Sequence, residues 1–141
     1  KQKTAYEMLR SLVGSEMCIR DRSKTFNKDF EYSREIRYFS GLIKIEMDSI
    51  QQILNYENGT LLNITVKNID DNQCKIIVKG DKDTWLNMLA LKPIPFYQCM
   101  QSTAVKHNLY MNVSNETFAY LPALNRLMQI MRIEFNNRSS N

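Results

Sequence analysis

Alternation of apolar and polar positions is the clearest signal along this chain. After Gly41, the stretch LIKIEMDS places Ile43, Ile45 and Met47 against Lys44 and Glu46, which predicts a half-buried strand. In TLLNITVKNI, Leu62, Ile64 and Val66 share one face, and in CKIIVKG, Cys74, Ile76 and Val78 share another. IDDNQ lies between them and reads as a turn, so these two strands are expected to pair as a hairpin. The segment SIQQILNYENG is ambiguous. Ile50, Ile53 and Leu54 form a short helical stripe, whereas Tyr56 continues a strand. Asn58-Gly59 is the sharpest turn signal, because both residue types tolerate positive φ.

Helical spacing appears elsewhere. NKDFEYSREIRY, residues 27–38, reads as a helix or an extended lead-in. In DKDTWLNMLALKP, Asp83 or Thr84 can cap a helix on which Trp85, Met88 and Leu89 share a face, and Pro93 and Pro95 end it. FYQCMQ predicts a short helical turn presenting Phe96, Cys99 and Met100. HNLYMNVS predicts a strand with Leu109, Met111 and Val113 aligned, and Ser114 or Asn115 can cap the helix after it. The last long run carries Leu121, Leu124, Met128 and Met131 in a stripe widened by Leu127 and Ile130. Pro122 either kinks this helix or marks its first turn. Strands and helices around one sheet define an α+β domain, with a small, mostly antiparallel sheet and helices packed on it.

Composition narrows the functional classes. The chain has 141 residues, 43% of them hydrophobic, enough for one domain with a core. The net charge of +4 is spread thinly, and no Lys/Arg run suggests nucleic-acid binding. No apolar run reaches the length of a spanning helix, so stable membrane insertion is not expected. The string SLVGSEMCIRDR, Ser11 to Arg22, keeps no single period and resembles translated sequencing-adapter read-through. Residues 1–22 are therefore expected to be an artefactual or disordered leader, residues 23–135 the domain, and 136–141 a frayed tail. The domain could be a fragment or accessory module of a longer parent chain. Cys74 and Cys99 could pair in a secreted chain, but they match no metal or redox spacing and read rather as thiols in a reducing compartment, so a cytoplasmic location is expected. Five glycosylation acceptor patterns begin at Asn58, Asn63, Asn112, Asn115 and Asn137, but they matter only in a secreted chain whose signal peptide has been lost.

The order of elements from Cys74 to Met131 resembles the C-terminal half of the sterol-carrier-protein fold, the non-specific lipid-transfer family. The resemblance runs through CKIIVKGDKDTWLNMLA, a strand entering an aspartate-rich corner and a helix opening on an aromatic. It continues through LKPIPFYQCMQ and HNLYMNVSNETFAYLPALNRLMQIM. Ser102–Lys106 stands in place of the family's glycine-lysine-leucine-like approach to the last strand. Asn112–Asn115 replaces its glycine-containing turn, and Pro122 is a further departure. The resemblance implies binding of a fatty acyl chain, a sterol or another lipid.

No residue set suggests catalysis. His107 is the only histidine, and a triad needs partners that the sequence does not place beside it. Asp70, Asp71, Asp81 and Asp83 lack the spacing of a calcium loop and read as turn and cap residues. No metal or cofactor is expected. Eight methionines are many for a small domain, and methionine adapts to irregular partners. Trp85, Leu89, Phe96, Met100, Leu124, Met128 and Met131 are the expected walls of an apolar pocket between helices and sheet, with Phe118 as a further candidate. The same residues could instead fill a solid core, as in a structural or protein-interaction domain of a larger enzyme or regulator.

Overall fold

The structure is a computed structural model that describes residues 25–139. The adapter-like string and the rest of residues 1–22 lie outside the described residues. Helix α1 spans Phe30–Ile36 and is capped by Asp29, whose carboxylate accepts the Tyr32 amide at 2.8 Å. Three strands come next: β1 (Gly41–Met47), β2 (Ile50–Glu57) and β3 (Thr60–Val66). A 3-10 turn, Asp71–Gln73, precedes β4 (Ile76–Gly80). Then come α2 (Lys82–Met88), α3 (Met100–Lys106), β5 (Leu109–Met111), α4 (Asn115–Ala119) and α5 (Leu121–Ser139).

The ambiguous segment 49–59 is a strand and a turn. Asn58 and Gly59 form the two-residue loop between β2 and β3, both with positive φ (48° and 81°). That twist matches a hairpin between right-twisted strands. A Cβ on Gly59 would lie 2.4 Å from the Arg37 Cα, so only glycine fits where the turn meets the chain leaving α1. The Gly59 amide bonds the Phe39 carbonyl at 2.8 Å and fixes this approach.

The strand order is β3-β2-β1-β4-β5. Three pairings are antiparallel and one, β1 with β4, is parallel, so the sheet is mixed. The expected hairpin between residues 60–69 and 74–80 does not form. β3 is an edge strand paired with β2, and β4 docks beside β1, with Ile43 opposite Ile76. The connection crosses the outer face of the sheet, as two strands that are not neighbours require. The faces of β3 also differ from expectation. Leu61 and Ile64 are buried while Leu62 and Val66 are exposed. Tyr56 faces Leu61 and Asn55 faces Asn63, leaving Leu62 as the extra residue of a bulge that turns the alternation over.

The helices pack on the inner face. Ile43, Ile45 and Met47, with Leu54, Tyr56, Ile76 and Val78, join α1, α2 and α5 in one buried cluster. On the outer face, Lys44 is only 2% exposed at its side chain, between Ile53 and Ile77 in register. The crossing segment covers it. The Lys44 ammonium donates to the Ile69 carbonyl and pairs with Asp71 at 2.8 Å, while Lys79 holds the other Asp71 oxygen at 2.7 Å. These two lysines, Lys44 first, hold the Asp71 carboxyl below its ordinary range.

At the other end of the chain, Ser114 caps α4 through the Thr117 amide. Pro122 is the second residue of α5, where no amide hydrogen is needed, so it opens the helix rather than kinking it. Helix α5 runs on to Ser139.

Candidate hydrophobic ligand site

Asp81, rather than Asp83 or Thr84, caps α2, accepting the Thr84 amide at 2.8 Å; that bond holds its carboxyl below the ordinary range. The cap places Trp85 inward, where its indole N–H donates to the Glu46 carbonyl at 2.9 Å. Gly80 keeps room for it, since a Cβ there would sit 3.0 Å from the indole nitrogen. The carbonyls at the end of α2 have no helical partners, and side chains of α5 satisfy them. Arg132 donates to the Met88 carbonyl at 2.8 Å and Asn136 to the Leu89 carbonyl at 2.8 Å. Burial pulls the Arg132 pKa down. Asn125 of α5 accepts the Met100 amide at 3.0 Å and so locates α3.

This polar frame aligns three helices around one apolar centre. Trp85, Leu89, Met100, Leu124, Met128 and Met131, all expected as walls, belong to the same cluster and are almost fully buried. Phe96 is not with them. Its backbone has φ 73°, a left-handed conformation that turns the ring outward, and it is 47% exposed. Phe118 is also exposed. Cys99 precedes α3 and is half-buried, Cys74 is buried, and both are free thiols; desolvation raises the Cys74 pKa.

Sequence reasoning did not find the aromatic part of this interior. Phe26, Tyr32, Phe39 and Tyr56 are buried together, with ring centroids 5.7–6.3 Å apart along the chain Phe26–Tyr32–Tyr56–Phe39. The Tyr32 and Tyr56 hydroxyls bond each other, and burial pushes both phenols well above their ordinary range. The available signal was the spacing of Tyr32 and Ile36, one helical turn apart, on a segment whose assignment was ambiguous.

A groove of about 250 Å³ opens beside α5, lined by Thr25, Asp29, Arg126, Ile130, Ile133, Glu134 and Asn137. None of the expected wall residues lines it. Its floor is the fork in which Arg126 grips Asp29 at 2.8 and 3.1 Å, which holds the Asp29 carboxyl below its ordinary range.

The polar candidates have structural partners. His107 stacks on Tyr97 at 3.9 Å between centroids. Asp71 bridges two lysines and Asp81 caps a helix. Among the described residues no group of three His, Cys, Asp or Glu side chains is placed to hold a metal, and no helix is long and apolar enough to cross a membrane.

A five-stranded mixed sheet with helices on one face and a long closing helix is the sterol-carrier-protein fold, and this chain adopts it. The crystal structure of sterol carrier protein 2 aligns with TM-score 0.64 at 13% identity, over 80% of this chain and 92% of the other. A conserved hypothetical protein of Thermus thermophilus, suggested to be a sterol carrier protein, aligns with TM-score 0.63 at 13% identity, over 84% and 87%. The UbiJ-SCP2 ubiquinone synthesis protein aligns with TM-score 0.52 at 10% identity, over 83% and 95%. These identities establish likeness of fold. No family profile and no curated protein matches the sequence.

Proposed function

We propose that this protein binds a hydrophobic ligand, a fatty acyl chain or a sterol-like molecule, between its sheet and helices α2, α3 and α5, and does no chemistry on it. The observation that carries the reading is the convergence of Trp85, Leu89, Met100, Leu124, Met128 and Met131 on one apolar centre. It occurs in a fold shared with sterol carrier protein 2. Three of the six are methionines, whose unbranched chains can re-pack around a guest. Removing ligand surface from water would supply about 25 cal/mol per Å². Because the walls are sealed in this structure, uptake requires α5 or the segment joining α2 to α3 to move outward. The free thiols of Cys74 and Cys99 support a cytoplasmic location.

A second reading is a solid accessory domain of a longer chain. The near-complete burial of the same six side chains favours it. Native mass spectrometry of the gently purified protein separates the two. A co-purifying hydrophobic adduct, lost on denaturation, supports ligand binding. A clean apo mass, with no uptake of added fatty acid or sterol, supports the packed domain. Trp85 is the only tryptophan, so quenching of its emission on titration with a fatty acid gives an independent readout.

A further inference from the structure

Residues 90–98, between α2 and α3, expose apolar side chains that their surroundings do not explain. Leu91 is 72% exposed, Ile94 58% and Phe96 47%. The segment is stiffened by Pro93 and Pro95. The Phe96 backbone stays in its left-handed conformation because its amide donates to the Gln98 side chain at 2.8 Å and its carbonyl accepts Thr103 at 2.8 Å and Ser102 at 2.9 Å. Three hydrogen bonds thus hold a solvent-facing aromatic in a conformation rare for such a residue. Strain maintained in this way points to a role for the exposed ring.

The charges around this surface have one sign. The Lys106 ammonium lies 5.3 Å from the centre of the Phe96 ring, and Lys92 is exposed beside Leu91. From Thr84 to Asn115 the sequence contains no Asp or Glu. The α5 side chain that bonds this segment, Arg132 at the Tyr97 and Gln98 carbonyls, is cationic, and those that bond its two flanks, Asn136 at Leu89 and Asn125 at Met100, are neutral. Apolar tips framed by lysines, with no carboxylate among them, suit the boundary between anionic headgroups and acyl chains.

We infer that residues 90–98, with the adjoining side of α3, dock the protein on an anionic lipid bilayer. Leu91, Ile94 and Phe96 enter the headgroup boundary, and Lys92 and Lys106 pair with lipid phosphates or carboxylates. The inference is independent of whether the interior carries cargo.

The test is co-flotation of the full chain with phosphatidylcholine vesicles and with vesicles of equal parts phosphatidylcholine and phosphatidylserine. Partition onto the anionic vesicles, weakened by added salt, is expected, with background partition onto phosphatidylcholine alone. The Leu91→Asp/Ile94→Asp variant should lose about ten-fold or more. Each of Lys92→Gln and Lys106→Gln should lose about five-fold. Leu62→Asp alters an exposed leucine on β3, the sheet edge opposite β5, and should partition as wild type. Thermal melts confirm that the variants are folded. Background partition of the wild type, as for a face that docks on a protein instead, overturns the inference. So does partition unchanged by the loop variants, or lost equally in Leu62→Asp. Vesicle binding by a protein with a clean apo mass and no uptake of added fatty acid or sterol would leave this surface standing and remove only the ligand proposal.

Discussion

Replacing Asp71 by Asn should destabilise the protein through a residue that Asp71 does not resemble, the buried Lys44. The Lys44 ammonium is withdrawn from water on the outer face of the sheet and has two acceptors, the Ile69 carbonyl and the Asp71 carboxylate. Removing one member of a fully buried pair costs about 3–5 kcal/mol. Asp71 is itself 46% exposed at its side chain, so water screens part of the attraction, and a loss of about 2 kcal/mol is expected for Asp71→Asn. Lys44→Met keeps the stem and removes the charge, so it needs no counter-ion. Its cost should stay within about 1 kcal/mol, because a buried ammonium gives back in desolvation much of what pairing supplies. In the double variant, Asp71→Asn should then cost little more than Lys44→Met alone. Urea unfolding at neutral pH, analysed by linear extrapolation, measures all four states of the cycle. Additive losses, or a Lys44→Met variant as unstable as Asp71→Asn, would refute the idea that Asp71 serves to accommodate a desolvated charge.

Other expectations rest on single contacts. Gly59→Ala should cost about 3 kcal/mol, seen as a lower thermal midpoint, because it combines positive φ with a backbone clash. Asp29, Asp71 and Asp81 all have folded pKa values below their unfolded values near 3.9. Their contribution is therefore complete above the unfolded carboxylate range and lost as pH falls through the folded values; denaturation free energies measured from pH 6 downward should decline, and less steeply in Asp71→Asn. Arg132→Met should loosen the end of α2, which hydrogen exchange at the amides following Met88 would report as faster exchange. Leu124→Ala should destabilise by about 2–5 kcal/mol if the centre is packed. A much smaller loss, with greater uptake of fatty acid, would indicate that the interior tolerates empty volume.

The sequence disclosed elements better than it disclosed their partners. Alternation placed β1, and Asn58-Gly59 marked the turn between β2 and β3, because both signals are local. Alternation says that residues 60–66 and 76–80 are strands, but nothing in it says that β4 chooses β1 over β3. That choice depends on where the crossing segment can be tied down, and the tie is a lysine whose position resembled any solvent-facing one. The bulge at Leu62 is similarly invisible, since one inserted residue reverses the faces without changing composition. Of the seven expected wall residues, six gather in one buried cluster, as helical stripes on α2 and α5 and the start of α3 suggested. Phe96 stands apart, because its direction is set by hydrogen bonds its backbone donates to Gln98 and accepts from Ser102 and Thr103 rather than by hydrophobicity.

The parallel docking of β4 also sets an order of assembly. β1, β2 and β3 are joined by two tight turns and can form with little loop closure. β4 can find its place only beside a β1 already present, after the chain has passed behind the sheet. The three-stranded meander is thus the expected folding nucleus, with β4, β5 and the closing helix expected to arrive later. Changes at Gly59 should slow folding, whereas changes at Asp71, which secures the crossing, should chiefly hasten unfolding. The half of the molecule that assembles last is also the half that contributes Trp85, Met100 and Met128, so the part nearest the proposed ligand is the part whose opening leaves the nucleus intact.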